Sequence, residues 1–474
     1  MNAINPNKRM LLALEGLFAI AIAVSLVFMP GAPRAATLIT QIVTGAAFIA
    51  IYRRQSWSTP AGEALTALVY TMLSILMIAN VHAFTLAVGH TDADPIMQNE
   101  DLQRNWDQAM TILGYKDVYV HWSHGLYAYV LAAIFTVTGP SITVACTLSV
   151  ITTMGTMLLC MAMGARLTGM IEASGKTVPG GAHSVATLTM LLMALTCMYV
   201  GLGVVDIKDT FVTFTVALTG FAMIQWRRSS PWLLCAAMLV AMCVRSNYIV
   251  SLLLGVILLA FAQREKMVTP RNLVILAGCI VWGFLCWYTV KWLGKTPEVI
   301  GQLTDGSHLE SIEDGHQPVF YDLFGRELFH STLRQLMLLP VLACTQLLVP
   351  LPFTITHHAT FGPSFIIAHI GFVWYFICGV VAYMLFKLRG LGCKPLTWLT
   401  IWALIMWITP CFVASGTVSR YALHSIAVFA PLASIGLSMF RKSRSFKIWI
   451  AVYTGLIVIA LTAAFFLIGD HQPV

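Results

Sequence analysis

Among the 20 acidic side chains of the 474-residue chain, those spaced for chemistry fall in two short segments. In NEDLQRNWDQAMTILG, Glu100 and Asp101 open a stretch with helical apolar spacing, and Asp92-Ala93-Asp94 stands just before it. A carboxylate within hydrogen-bond reach of a hydroxyl is a general base. The same two acids at a helix start would also complement the helix dipole. In VDIKDTF, Asp206, Lys208 and Asp209 sit where another helix should begin. An aspartate there caps the helix; acid, cation and acid beside one membrane face also suit a phosphate, with or without a divalent metal, and Lys208 would meet its charge. Arg245 in VRSNY and Arg420 in VSRYALHS add two cations beside apolar runs, where they would offset charge on phosphoryl oxygens.

Other groups carry less. GMIEASGKT has one residue too many between its glycines for a phosphate-binding loop and follows no strand. His121 and His124 would share a helix face, which suits interfacial lining better than a metal, and the adjacent His357 and His358 would point apart. The 11 cysteines are scattered, mostly through apolar runs, without a CxxC pair, and read as packing residues.

The elements that must position these residues are membrane helices. The chain is 58% hydrophobic and 10% charged, against roughly one quarter charged in soluble domains. Apolar runs of roughly 20 residues, enough to cross about 30 Å of hydrocarbon, recur from Leu11 almost to the end. The net charge of +8 comes largely from short Lys/Arg clusters between these runs, so it orients helices and does not mark a nucleic-acid surface.

With Lys8 and Arg9 on the cytoplasmic side, a hairpin of helices near 10–30 and 35–52 returns to Arg53 and Arg54. A helix near 64–88 leads to a first outer loop at about 89–140. Its end, from His124 to Gly139, is about 16 residues long and is expected to lie along the interface. Helices near 141–163 and 183–204 then run inward to Arg166 and Lys176 and outward to Asp206. Residues 231–263 form a hairpin with Arg245 toward its outer tip, and a helix near 272–292 leads to a second outer loop at about 294–332. The prolines of 333–353 fit a re-entrant segment. Closing helices near 365–386, 395–415, 421–440 and 446–468 place Lys387, Arg389, Lys394, Arg441, Lys442, Arg444 and Lys447 inside. The expected fold is all-α and polytopic, with about 12 to 14 spans, no internal repeat, and Glu100, Asp101, Asp206 and Asp209 on one outer face.

These segments resemble the GT-C superfamily of membrane glycosyltransferases, in the branch of protein O-mannosyltransferases and aminoarabinose transferases. That family opens its first outer loop with Asp-Glu, followed by two surface helices ending in glycines. Glu100-Asp101, Gly114, and the stretch from Trp122 to Gly139 are the counterparts here. The second acid resembles Asp206 or Asp209, the hairpin cation Arg245, and the late Arg-Tyr Arg420-Tyr421. The likeness covers roughly residues 64–440. It leaves 1–55 as an extra amino-terminal hairpin beside a GT-C-like domain over 56–474. Here Asn99-Glu100-Asp101 replaces the family's Asp-Glu, and Asn105 stands near its following Tyr, so the base remains open among Asp101, Glu100 and Asp94.

The resemblance implies an inverting transfer from a polyprenyl-phosphate-linked sugar to a glycan, lipid or protein acceptor, on the outer face of a bacterial inner membrane. Asp101 would deprotonate the acceptor hydroxyl. Lys208, Arg245, Arg420 and Tyr421 would receive the leaving phosphate, while the prenyl chain lies among the helices and membrane lipid. The 294–332 loop would act as a lid over the acceptor. No cofactor is required by the pattern, and a divalent metal stays open. A polymerase or ligase of lipid-linked glycans would share most of these features. A transporter or flippase would instead need ionisable groups at mid-membrane and usually a repeat. Glu15 is one such acid, in the amino-terminal hairpin.

Overall fold

The computed structural model describes residues 34–88, 100–118, 126–205, 208–224, 370–413 and 423–469, with Gly16, Ile20, Ile367 and Ala368. Every regular element among them is helical. Four helices are long and apolar enough to cross a membrane, over Pro60–Ala83, Ile142–Ala173, Phe372–Leu391 and Arg444–Ala463, and several shorter apolar helices lie among them. The chain is a helical membrane protein. Apart from Gly16 and Ile20, the expected spans near 10–30, 231–263 and 272–292, the loop 294–332 and the segment 333–353 lie outside the described residues.

Helix α1 (Arg34–Arg53) and α2 (Pro60–Val88) are joined by a short turn. Pro60 is pre-set for a first helical position, and Thr59 Oγ1 accepts the Gly62 N–H at 3.1 Å, which caps α2. Arg53 Nε donates to Glu63 Oε1 at 2.6 Å across the turn. Deeper in, the fully buried Gln41 of α1 is satisfied on both ends of its amide. Its Oε1 accepts from Tyr70 and Ser74 of α2, each at 2.7 Å. Its Nε2 donates to Thr147 Oγ1 at 3.2 Å. Lipid supplies no hydrophobic drive between helices, so such bonds act as glue. They tie α1 to α2 and to the Thr147 region of the chain.

The first-loop helices are α3 (Glu100–Ile112) and α4 (Leu126–Thr138). Tyr127, Leu131 and Phe135 are buried at a spacing of one helical turn, while Tyr129 and Val137 on the other side are exposed. Trp106 of α3 packs on Phe135, ring centroids 5.1 Å apart. Both helices end on glycines with positive φ. At Gly114 (φ 82°) the Tyr115 N–H reaches Met110 O and the Gly114 N–H reaches Thr111 O, both at 2.9 Å, a Schellman closure. At Gly139 (φ 78°) a single bond to Phe135 O at 2.8 Å does the same work.

Helix α5 (Ile142–Ala173) is the centre of the fold, packed by α6 (Gly181–Leu195), α8 (Asp209–Ile224) and α11 (Ile426–Phe440). Its 32 residues make about 48 Å of helix, well past the expected end near 163. Arg166 does not end it, because the guanidinium lies 5.0 Å from the centroid of the Phe221 ring. The expected single helix over 183–204 is instead two, α6 and the short α7 (Cys197–Leu202), broken at Thr196 (φ −77°, ψ 87°). Thr196 Oγ1 donates back to Leu192 O at 2.7 Å at the break. Within GMIEASGKT, the residues up to Ala173 are the last turn of α5, so the phosphate-loop reading fails on structure as it did on spacing.

Close contacts fix helix directions. Gly155 approaches the Phe214 ring and Gly220 approaches Met163, so α8 runs parallel to α5. Cys160 Sγ donates to Ala427 O at 3.1 Å and Gly164 approaches Pro431, so α11 does too. Gly203 approaches Thr153 and Gly164 approaches Val185, so α6 and α7 run the other way. Helices α9 (Phe372–Leu391), α10 (Lys394–Val413) and α12 (Arg444–Gly469) complete the described residues, with a 3-10 turn, Leu423–Ser425, before α11. Ser174 Oγ donates to Leu391 O at 3.1 Å, which brings the end of α5 to the end of α9. Lys176, Arg389, Lys394, Arg441 and Arg444 therefore share one end of the bundle, and the starts of α5, α8 and α11 share the other.

Candidate functional site

The end opposite the basic clusters gathers three of the segments singled out above. Lys208 accepts the Val212 N–H at 3.2 Å through its carbonyl and occupies the cap position of α8; Asp209 is the first helical residue. Capping is thus the task of Lys208, and it does not account for Asp209. Both side chains are buried, at 7% and 2% exposure. A buried carboxylate is costly unless it is paired.

Asp209 faces His424 in the 3-10 turn before α11, with Oδ1 3.4 Å from the ring Nε2. His424 Nδ1 lies 3.0 Å from Thr213 Oγ1, and Thr213 Oγ1 donates to Asp209 O at 2.8 Å, closing the cluster one turn into α8. His424 is itself fully buried. VDIKDTF and VSRYALHS therefore meet, though Thr213 and His424 are 211 positions apart.

The first loop joins this end through Tyr127 in the first turn of α4. Its ring meets Phe211, two residues beyond Asp209, edge to face with centroids 5.4 Å apart. The start of α4 lies beside the start of α8, and its 13 residues make about 20 Å of helix, against about 30 Å of hydrocarbon.

Of the candidate bases, Glu100 and Asp101 are the first two residues of α3, the helix that packs on α4. Asp94 lies outside the described residues, as do Asp206, Arg245, Arg420 and Tyr421, and also His121 and His124. Asp107, another acid of this loop, is braced: its Oδ1 accepts from Lys116 Nζ at 2.7 Å and Gln103 Nε2 at 2.9 Å. It holds α3 to the stretch of chain that follows. Among the described residues no group of three His, Cys, Asp or Glu side chains is placed to hold a metal.

Sequence reasoning missed His424. It stopped at Arg420-Tyr421, four and three positions earlier, although a histidine at the mouth of an apolar run is itself a signal for a partnered, working group.

No protein-family model matches the chain, and no curated protein is significantly similar to it.

Proposed function

We propose that the protein is an inverting glycosyltransferase that moves a sugar from a polyprenyl-phosphate donor to an acceptor hydroxyl on the outer face of a bacterial inner membrane. The observation that supports this most is the contact of Asp209 with His424, one residue after the buried Lys208, at the helix end that α4 also reaches. Placing the basic end of the bundle in the cytoplasm puts that site outside, by the bias of Lys and Arg toward the inner side.

In this reading Asp101, at the start of α3, takes the proton of the acceptor hydroxyl as its oxygen attacks the anomeric carbon. Glu100 and Asp94 are the alternatives for that role. The bond from that carbon to the phosphate oxygen breaks on the opposite face, and polyprenyl phosphate leaves. Lys208, with Arg245, Arg420 and Tyr421, receives the phosphate; positive charge counts for more at a site screened from water. Asp206 and Asp209 form the second acidic site.

A test uses membranes from a strain lacking the protein, supplemented with the purified protein and a radiolabelled polyprenyl-phosphate hexose. Label passing from the lipid into a new glycosidic bond, only when protein is added, supports transfer. Movement of the labelled lipid across a liposome bilayer with no new bond would make the protein a flippase and end the proposal.

A further inference from the structure

The hydrogen bonds around His424 locate a proton. Thr213 has one hydroxyl proton, which goes to Asp209 O at 2.8 Å, the usual back-bond of a threonine in a helix. The 3.0 Å contact between Thr213 Oγ1 and His424 Nδ1 then runs the other way, with Nδ1–H donating. A neutral imidazole has no second ring proton, so Nε2 would present a lone pair to Asp209 Oδ1, 3.4 Å away. Two acceptor atoms at that distance in a buried site repel. The arrangement is stable when one more proton lies between them, as imidazolium with carboxylate or as imidazole with carboxylic acid. Burial of both side chains, at 0% and 3% exposure, leaves little water to take its place.

We propose that Asp209 and His424 share a proton, and that His424 is the positioning residue that fixes the Asp209 carboxyl, with Thr213 fixing the ring. As a site of sugar transfer this rests on the function proposed above; as a proton-sharing pair it does not. The other charged side chain described at this start of α8 is Lys208. Of the further elements packed on the 3-10 turn, α11 carries no charged residue, and the charged residue of α10 is Lys394, at its far end. The pair is neutral overall in either form, which lowers the cost of keeping a carboxyl in the membrane.

The test is nitrogen-15 NMR of histidine-labelled protein in nanodiscs, with the His424 signals assigned by their loss in His424→Gln. At neutral pH the wild-type ring is expected to show a protonated Nδ1 and an Nε2 bonded to the shared proton. Asp209→Asn should leave a neutral ring with Nδ1 alone protonated, and Thr213→Val should release the fixed tautomer while Thr213→Ser keeps it. A wild-type ring with bare Nδ1, or signals that Asp209→Asn does not move, would overturn the proposal. The wild-type spectrum decides it even where a variant does not fold. Turnover is scored separately. His424→Gln is expected to lower kcat for transfer from the polyprenyl-phosphate hexose by about tenfold or more, with KM little changed. If the wild type shows no transfer, the proposed function fails while the spectrum still decides the pair; equal kcat in His424→Gln would remove the positioning role.

Discussion

Nε2 of His424 lies 3.4 Å from Oδ1 of Asp209, both inside the protein, and this contact joins the start of α8 to the start of α11. A pair of this kind is worth little against an apolar replacement of both members, but its halves depend on each other.

Apolar replacement of one half should therefore be costly. Asp209→Leu or His424→Leu alone is expected to destabilise the protein by about 1–3 kcal/mol, from the neutral polar group left buried without this contact. The double variant should recover about 1–3 kcal/mol of the summed loss. Unfolding of the four proteins in one detergent measures this; strict additivity would mean that the pair does not act as a unit.

Both ends of α4 should face outward. In a background without the 11 native cysteines, Asp117→Cys before α4 and Thr138→Cys at its end, both exposed, should react with an impermeant maleimide in intact cells. Lys176→Cys, beyond the end of α5, should react only after permeabilisation. Labelling of Asp117→Cys and Thr138→Cys from opposite sides would mean that α4 crosses, and would separate Glu100 and Asp101 from Asp209.

Gln41 should matter more than a residue of an appended hairpin would. Gln41→Leu leaves Tyr70, Ser74 and Thr147 without their shared partner. A stability loss of about 1–2 kcal/mol is expected, given the modest size of interhelical bonds in membranes. Thermal unfolding in detergent would show it; an unchanged midpoint would mean that α1 is not held by this network.

Two glycines bearing on α12 should respond oppositely. A Cβ on Gly379 of α9 would stand 2.5 Å from the Tyr453 ring, whereas one on Gly455 of α12 meets nothing within 4 Å. Gly379→Ala should cost about 1–3 kcal/mol by overpacking, while Gly455→Ala should be neutral or slightly stabilising, by helix propensity. Equal effects on the unfolding midpoint would contradict the packing of α9 on α12.

Hydropathy and basic clusters are enough to read the described helices within a few residues in most cases, including the helix that begins at Glu100 and its closing Gly114. They fail where a charge is satisfied by something remote, and where the backbone breaks within an apolar run. Arg166 reads as a helix end because the Phe221 ring that accommodates it comes 55 positions later in sequence but beside it in space. Thr196 reads as one more helical residue, yet the backbone turns there (φ −77°, ψ 87°). At the site, residue types point to Lys208 and Asp209 but give no pairing, and the partner of Asp209 comes from a segment whose evident charge is Arg420. Pairing across the chain is set by helix packing, which a local pattern does not encode.

The most direct measurement of the central claim is mass spectrometry of envelope glycans, glycolipids and glycoproteins from cells carrying the wild type, a deletion, Asp101→Asn or Asp209→Asn, at matched expression. The deletion is expected to remove a defined sugar from one acceptor class, and both variants to reproduce the loss while the protein stays in the membrane. Unchanged glycans in the deletion and in both variants would contradict that claim.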